Sequence, residues 1–358
     1  ADRVFFEPLV ELVQHKGASE CRFDRVAGIG LATADELCSF EQVVADNLTM
    51  LGSVHGEVLA PEAAPVPIAD FARRNMVRNV LKDGLALEQS TGTNPFVMGF
   101  IGSTDTHSAT PGGAEEDNYV GHLGRRDSGF RNVQDHFFSN PGGHAVVWAE
   151  ENTRDSIFAA MARRETYGTS GTRPVLRFFG GWGYDPQMCD GDDFAARGYE
   201  GGVPMGSDLA ERPGAATSPV FAVQAMQDPG TREHPGTSLD RVQVIKGWVE
   251  DGKTREKVYD VAGGDREAGV DPDTCDTSGK GYASLCSMWS DPDFDPDEHA
   301  FYYVRVIEIP KPRWTAYDDS RSGSDESAQN NTADGERCAG GIVHALTGST
   351  ACGAHYYL

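Results

Sequence analysis

The period of the hydrophobic pattern changes part-way along the chain, and that change limits the fold more than any other feature. Up to about residue 175, short apolar runs alternate with helical patterns; from Pro219 onward a period of two takes over. In the first part, "PFVMGFIGS" (95–103) and "HAVVWAE" (144–150) read as buried strands, and residues 1–14 as a strand ending in "VELVQ". Residues 66–90 place Phe71, Met76, Val77, Val80 and Leu81 at helical spacing, with Pro67 near the start and Gly84 near the end. A second helix is predicted in "TRDSIFAAMARRET", capped by Thr153, with Ile157, Phe158 and Met161 as its apolar face. This alternation predicts α/β layers through residue 175. Residues 176–217 are Gly-, Asp- and Pro-rich and read as loop. Residues 218–317 carry "SPVFAVQAM", "LDRVQVIKGWVED", "REKVYDVAG" and "AFYYVRVIEIP", which predict an antiparallel, sandwich-like β region. Residues 318–358 read as loop and a Cys-containing tail.

The chain has 358 residues, 39% hydrophobic and 24% charged, enough for a sizeable core. Its formal charge of −24 argues against nucleic acid and against anionic lipid as partners, because both attract clustered Lys and Arg. An anionic substrate would need a local positive centre, such as a metal cluster. No stretch approaches the roughly 20 apolar residues of a membrane span. Seven cysteines are present, with no spacing typical of a zinc ribbon. Their order suggests Cys21–Cys38, Cys275–Cys286 and Cys338–Cys352, loops of roughly 10 to 17 residues, with Cys189 left over. Such bridges imply a periplasmic or secreted protein; the alternative is a set of unpaired cysteines in a cytosolic one.

The chemistry concentrates in "FIGSTDTHSATPGG". Asp105 and His107 follow directly on an apolar strand, and the carboxyl ends of parallel strands face the crevice of an α/β fold. A carboxylate and an imidazole there suit a divalent metal or a proton-transfer pair; the plainer alternative is an Asp that caps a turn beside a surface His. Glu11 and His15 occupy the end of the first strand in the same way, and Glu11 reads as a supporting carboxylate. The loop "PGGAEEDNYVGHLG" offers Glu115, Glu116, Asp117 and His122 as groups that could orient metal ligands. Arg164, beside Arg163 at a helix end, could hold an anion, although Arg at that position also complements the helix dipole. Asp291, Asp293, Asp295 and Asp297 alternate in "SDPDFDPDEH"; they could wrap Ca²⁺ or form a Pro-stiffened acidic turn. H-E-x-x-H, G-x-S-x-G and dinucleotide motifs are absent from the sequence.

Taken together, "VELVQ", "GSTDTH" and "MARRETYGTSG" resemble the metal-site motifs of the polymerase-and-histidinol-phosphatase (PHP) superfamily. With "EEDNY", "NPGG-AVVWAEENTRD", "FFGGW", "VIKGW" and "FYYVRVIE", they are similar to a bacterial, mostly exported PHP-like family of unassigned function, from about residue 5 to 317. The resemblance implies that residues 1–175 form the C-terminal portion of a distorted β/α barrel. It implies two or three divalent metals (Mn, Zn or Fe) and a metal-activated hydroxide that attacks a small phosphoester. Asp105 and His107 match the last metal ligands and Glu11 the supporting strand Glu; His15 has no general counterpart. The superfamily's N-terminal His-x-His and Asp-His ligands have no match here, so a companion segment upstream of residue 1 is expected to complete the site. The competing expectation is a non-catalytic extracellular binding or assembly protein on a degenerate PHP scaffold.

Overall fold

The computed structural model describes residues 2–15, 17–24, 28–39, 75–109, 111–119, 121–122, 140–214, 218–266, 268–270, 277–314, 317, 352–353 and 356–357. Along the chain come β1 (Leu9–Gln14), α1 (Val77–Thr91), β2 (Gly99–Gly102), β3 (Ala145–Val147), α2 (Arg154–Ala162), β4 (Thr166–Gly168) and β5 (Val175–Gly181). Then follow α3 (Phe194–Gly201), β6 (Gly202–Pro204), β7 (Val220–Met226), β8 (Leu239–Glu250), β9 (Lys253–Gly263), β10 (Ser284–Ser290) and β11 (Ala300–Glu308).

Two antiparallel sheets form the centre, ordered β10-β7-β5-β6 and β9-β8-β11, the second extended beyond β11 by Tyr356–Tyr357. Their facing sides share one core: Leu176 and Phe178 of β5, Phe221 and Val223 of β7, Val242 and Val244 of β8, Val304 and Val306 of β11. The spacing of two within each strand is the pleat written in sequence. Intervening residues face outward to a second pair of layers. Phe179 and Ala222 pack under Phe194 of α3 and Met188. On the other side, Ile245 and Tyr303 pack against Val77 and Leu81 of α1 and Leu12 and Val13 of β1. The β8–β9 hairpin turns through Asp251 (φ 49°) and Gly252 (φ 69°), the Asp-Gly pair that a two-residue turn with both positions left-handed favours.

The barrel expected from the resemblance is absent among the described residues. A β/α barrel needs parallel strands throughout, whereas β1 and β2 form one parallel pair, with Leu9 opposite Gly99. The 144–150 run yields only three strand residues, and these pair antiparallel with β4. The described residues are strand-rich, built from small sheets with few helices, and no sheet among them closes on itself. Residues 176–217 also differ from the loop expected there: β5, α3 and β6 occupy much of the segment, because Phe178 and Phe179 anchor opposite faces of one strand. Helix α1 runs past Gly84 to Gly92, whose left-handed backbone (φ 75°) caps it. Gly84 instead faces Asn94: a Cβ there would sit 2.3 Å from the Asn94 side-chain oxygen, which would have to move aside. Phe158 is 72% exposed, so of the predicted apolar face only the half-buried Ile157 and Met161 turn inward, beside the buried Ala160.

Cys21 and Cys38 form a disulfide, as their spacing suggests. Cys286, however, bonds Cys189 and not Cys275: the Met188–Asp190 turn packs directly on β10, so the partner is adjacent in space and remote in sequence. The 318–336 loop, Cys275 and Cys338 lie outside the described residues, as does the side chain of Cys352. No helix of the described residues is long and apolar enough to cross a membrane.

Candidate functional site

The parallel pair ends in the candidate site. Glu11 lies opposite Ile101 and Val13 opposite Gly102, with a bulge between them, so both strands run out on the same edge. Ser103 N–H donates to Val13 O (2.8 Å), and His15 N–H to Thr104 O (3.3 Å), which carries the pairing into the loops that follow. Glu11 braces this junction: its carboxylate accepts from Ser103 Oγ and, at 3.1 Å, from Gln14 Nε2.

Beyond the strand ends three imidazoles gather. The rings of His15 and His122 stack with centres 4.1 Å apart; His107 lies 5.9 Å from His15 and 6.3 Å from His122. His107 N–H donates to the His122 carbonyl at 2.7 Å, which ties the two loops together. Asp105 Oδ2 is 3.5 Å from His15 Nδ1, and the Thr104 carbonyl lies 3.3 Å from the same nitrogen. Tyr119 OH is 3.0 Å from His122 Nδ1. The Thr104 carbonyl and Asp105 carboxylate can only accept, which favours the His15 tautomer with its proton on Nδ1 and an Nε2 lone pair, while the Tyr119 hydroxyl fixes the orientation of the His122 ring. His15 and His122 are buried, whereas His107 is exposed. Asp105 adopts a left-handed backbone (φ 49°), a conformation that Asp tolerates better than most residues and that concentrates at functional sites.

Three imidazoles and a carboxylate are a donor set for Zn, Fe or Mn. Imidazoles that share one ion at about 2.1 Å have ring centres roughly 4.5–5.5 Å apart; the observed separations bracket that range. The stacked His15 and His122 rings hold their in-plane lone pairs near parallel, and His107 lies beyond the range, so closing the set on one ion requires both the stack to open and His107 to move. Among the described residues, the ligand-type atoms that all lie within 4.8 Å of one another belong to Cys21, Asp35 and Cys38. That trio is no metal site: its sulfurs are joined, and Asp35 faces Arg78 (3.0 Å) and Arg305 (2.7 Å). A pocket of about 850 Å³ lined by Asp35, Arg241, Gln243, Glu256 and Glu308 includes none of the imidazoles.

The remaining residues singled out in the sequence are placed elsewhere. Of the acidic loop only His122 joins the cluster. Glu115 pairs with Arg173 (3.1 Å), Asp117 with His234 (2.7 Å), and the buried Glu116 accepts from Trp314 N–H (2.6 Å). Glu116 thereby pins the segment around Trp314. Arg164 donates from Nε to Gly206 O (2.8 Å) and packs on Gly99. Gly99 opens β2 and Asp105 follows its far end, so about 10 Å of strand separates Arg164 from the cluster. Asp291 is buried against Lys246 (2.7 Å) and the Tyr302 hydroxyl (2.7 Å), and Asp293 accepts from Lys257 and Tyr259 (2.7 Å). Asp295 caps the Asp297 N–H (2.9 Å). Asp291 and Asp293 are thus each paired with a lysine ammonium group.

Two groups near the cluster were not singled out in the sequence. The Asn140–His144 segment wraps the strand ends: Asn140 N–H donates to His15 O (2.9 Å) and Gly143 N–H to Ser103 O (2.9 Å). Gly142 (φ 81°) comes so close that a Cβ would lie 2.7 Å from Thr104 Cα. Only glycine combines that backbone with that approach. His144 is held below the usual imidazole range, first by burial and then by Arg173. The "NPGG" turn signal could have marked this stretch.

No curated protein and no solved structure matches the chain. Residues 1–341 match the family described as "Protein of unknown function (DUF3604)", nearly the whole length, and the chain belongs to that family.

Proposed function

We propose that this chain is a metal-dependent hydrolase of small phosphoesters, with His15, Asp105, His107 and His122 holding a divalent ion such as Zn, Mn or Fe. The observation that carries the reading is the convergence of three imidazoles and a carboxylate, from three chain segments, on the C-terminal ends of a parallel strand pair. A bound ion would polarise the phosphoryl oxygen and lower the pKa of a coordinated water. The chain's own groups set the geometry: the Thr104 carbonyl and the Tyr119 hydroxyl orient the two buried rings, and Asp105 contributes the one negative charge among them. The phosphoester as substrate class rests on the motif resemblance around Glu11, Asp105 and residues 161–171. The two disulfides support a place outside the reducing cytoplasm, periplasmic or secreted.

The test measures metal per chain by inductively coupled plasma mass spectrometry, alongside hydrolysis of 4-nitrophenyl phosphate and bis(4-nitrophenyl) phosphate. At least one transition ion per chain is expected. Asp105→Asn and His15→Gln should each lower metal affinity by at least 10- to 100-fold and hydrolysis with it. Hydrolysis that survives both substitutions and a chelator rejects the assignment. Tight metal binding with neither ester cleaved leaves a binding role.

A further inference from the structure

Asn140 is 3% exposed, and its side-chain nitrogen Nδ2 is buried with no hydrogen-bond partner. Its Oδ1 accepts from Gly142 N–H at 2.7 Å, which fixes the amide so that Nδ2 is the end left over. A buried donor without an acceptor costs about 1–3 kcal/mol, and native proteins carry few of them. This one sits between two elements of the candidate site. The Asn140 backbone is bonded to the His15 carbonyl, and the turn it opens lies on Ser103 and Thr104, next to Asp105. A second such atom, His144 Nε2, lies four residues along the same segment. Buried polar atoms left unmade on one short stretch beside a cluster of ligand-type groups are what a site for an oxygen-rich substrate requires.

We propose that Asn140 Nδ2 is a substrate-binding donor that holds a non-bridging oxygen of a tetrahedral oxyanion ester, phosphate or sulfate, beside the imidazole cluster. The proposal rests on the hydrolase reading for the location of the reacting group, but the donor can be tested by binding alone. A neutral amide suits this position: it donates to an anionic oxygen without drawing the negative field of a carboxylate or competing for the metal.

The experiment uses the protein as isolated, with its metal content measured, and titrates inorganic phosphate and, separately, inorganic sulfate by calorimetry. Asn140→Asp keeps the acceptor for Gly142 N–H and replaces the donor by an oxygen; Asn140→Ala removes both. Weakening of phosphate or sulfate binding by tenfold or more in both variants is expected, with metal content and melting temperature close to those of the parent. Whichever anion shows the larger loss identifies the ester class. Where hydrolysis is measurable, the loss should appear in KM more than in metal occupancy. Equal anion affinity in parent and variants overturns the role of Asn140 while leaving the hydrolase reading intact. Loss of metal together with the anion overturns it too, since Asn140 would then merely support the cluster. A parent that holds no metal sinks the hydrolase reading, and the donor then stands or falls on whether anion binding persists and depends on Asn140.

Discussion

Asp105 pays for its position in backbone conformation. A left-handed φ costs an ordinary L-residue roughly 1–2 kcal/mol, less for Asp, and glycine nothing. Asp105→Gly should therefore unfold at equal or higher urea concentration, by up to about 1 kcal/mol, while metal binding falls away. A clear loss of stability would show that the carboxylate holds the loop together instead of serving an ion. Individual residues were legible in the sequence to the extent that their role follows from place. Asp105, His107 and His15 stand directly beyond apolar strands, and strand ends are where ligands bind in such folds. Glu116 and His122 sit six residues apart in one loop, and nothing in their spacing says that one faces Trp314 and the other His15. Asn140 was illegible for a different reason. What marks it is a hydrogen bond that is not made, and burial of that kind belongs to tertiary structure.

At the scale of elements, remote pairing was the part that local pattern could not supply. Strand β7 reads well from alternation, but its neighbour β5 was hidden by its glycines and by the loop-like composition after it; the β-rich half thus extends back into a stretch expected to be loop. The same remoteness governs the disulfides. Cys189–Cys286 spans 97 residues and Cys21–Cys38 spans 17; in the chain-entropy view their removal costs about 5 and about 3 kcal/mol respectively. A Cys189→Ser, Cys286→Ser double variant should lose more in urea denaturation than the Cys21, Cys38 counterpart. The buried ion network behaves as another clamp, joining α1 and β11 to the Cys21–Cys38 loop through Arg78, Arg305, Glu20 and Asp35. Burial by itself raises the carboxyl pKa values of Glu20 and Asp35, but Arg305 and Arg78 overcome it, and both lie below their ordinary values of 4.5 and 3.8. Groups depressed in the folded state stabilise above those ordinary values, and the contribution disappears as pH falls through the lower folded values. Arg305→Met should cost about 3–5 kcal/mol at neutral pH, because it leaves buried carboxylates poorly compensated. Its unfolding free energy should also fall less steeply between pH 5 and the acid limit than the parent's, in urea melts at stepped pH. Parallel acid limbs would remove Arg305 from the explanation.

The molecule as a whole carries a formal charge of −24. Long-range repulsion should slow the approach of an anionic ester, and salt shortens the reach of that field. Raising NaCl from about 20 to 200 mM should lower KM for 4-nitrophenyl phosphate severalfold with kcat little changed; a KM that rises with salt would mean a cationic entrance that outweighs the overall field. The floor beneath His15 has a further consequence. Strand β1 rests on Ile245 and Tyr303, which the ribosome adds more than two hundred residues after it. The nascent polypeptide thus displays its coordinating side chains early, without the scaffold that spaces them. If the cluster holds an ion as proposed, discrimination among metals waits until the closing strand docks, and the ion pool of whichever compartment witnesses that last step would decide what the protein carries.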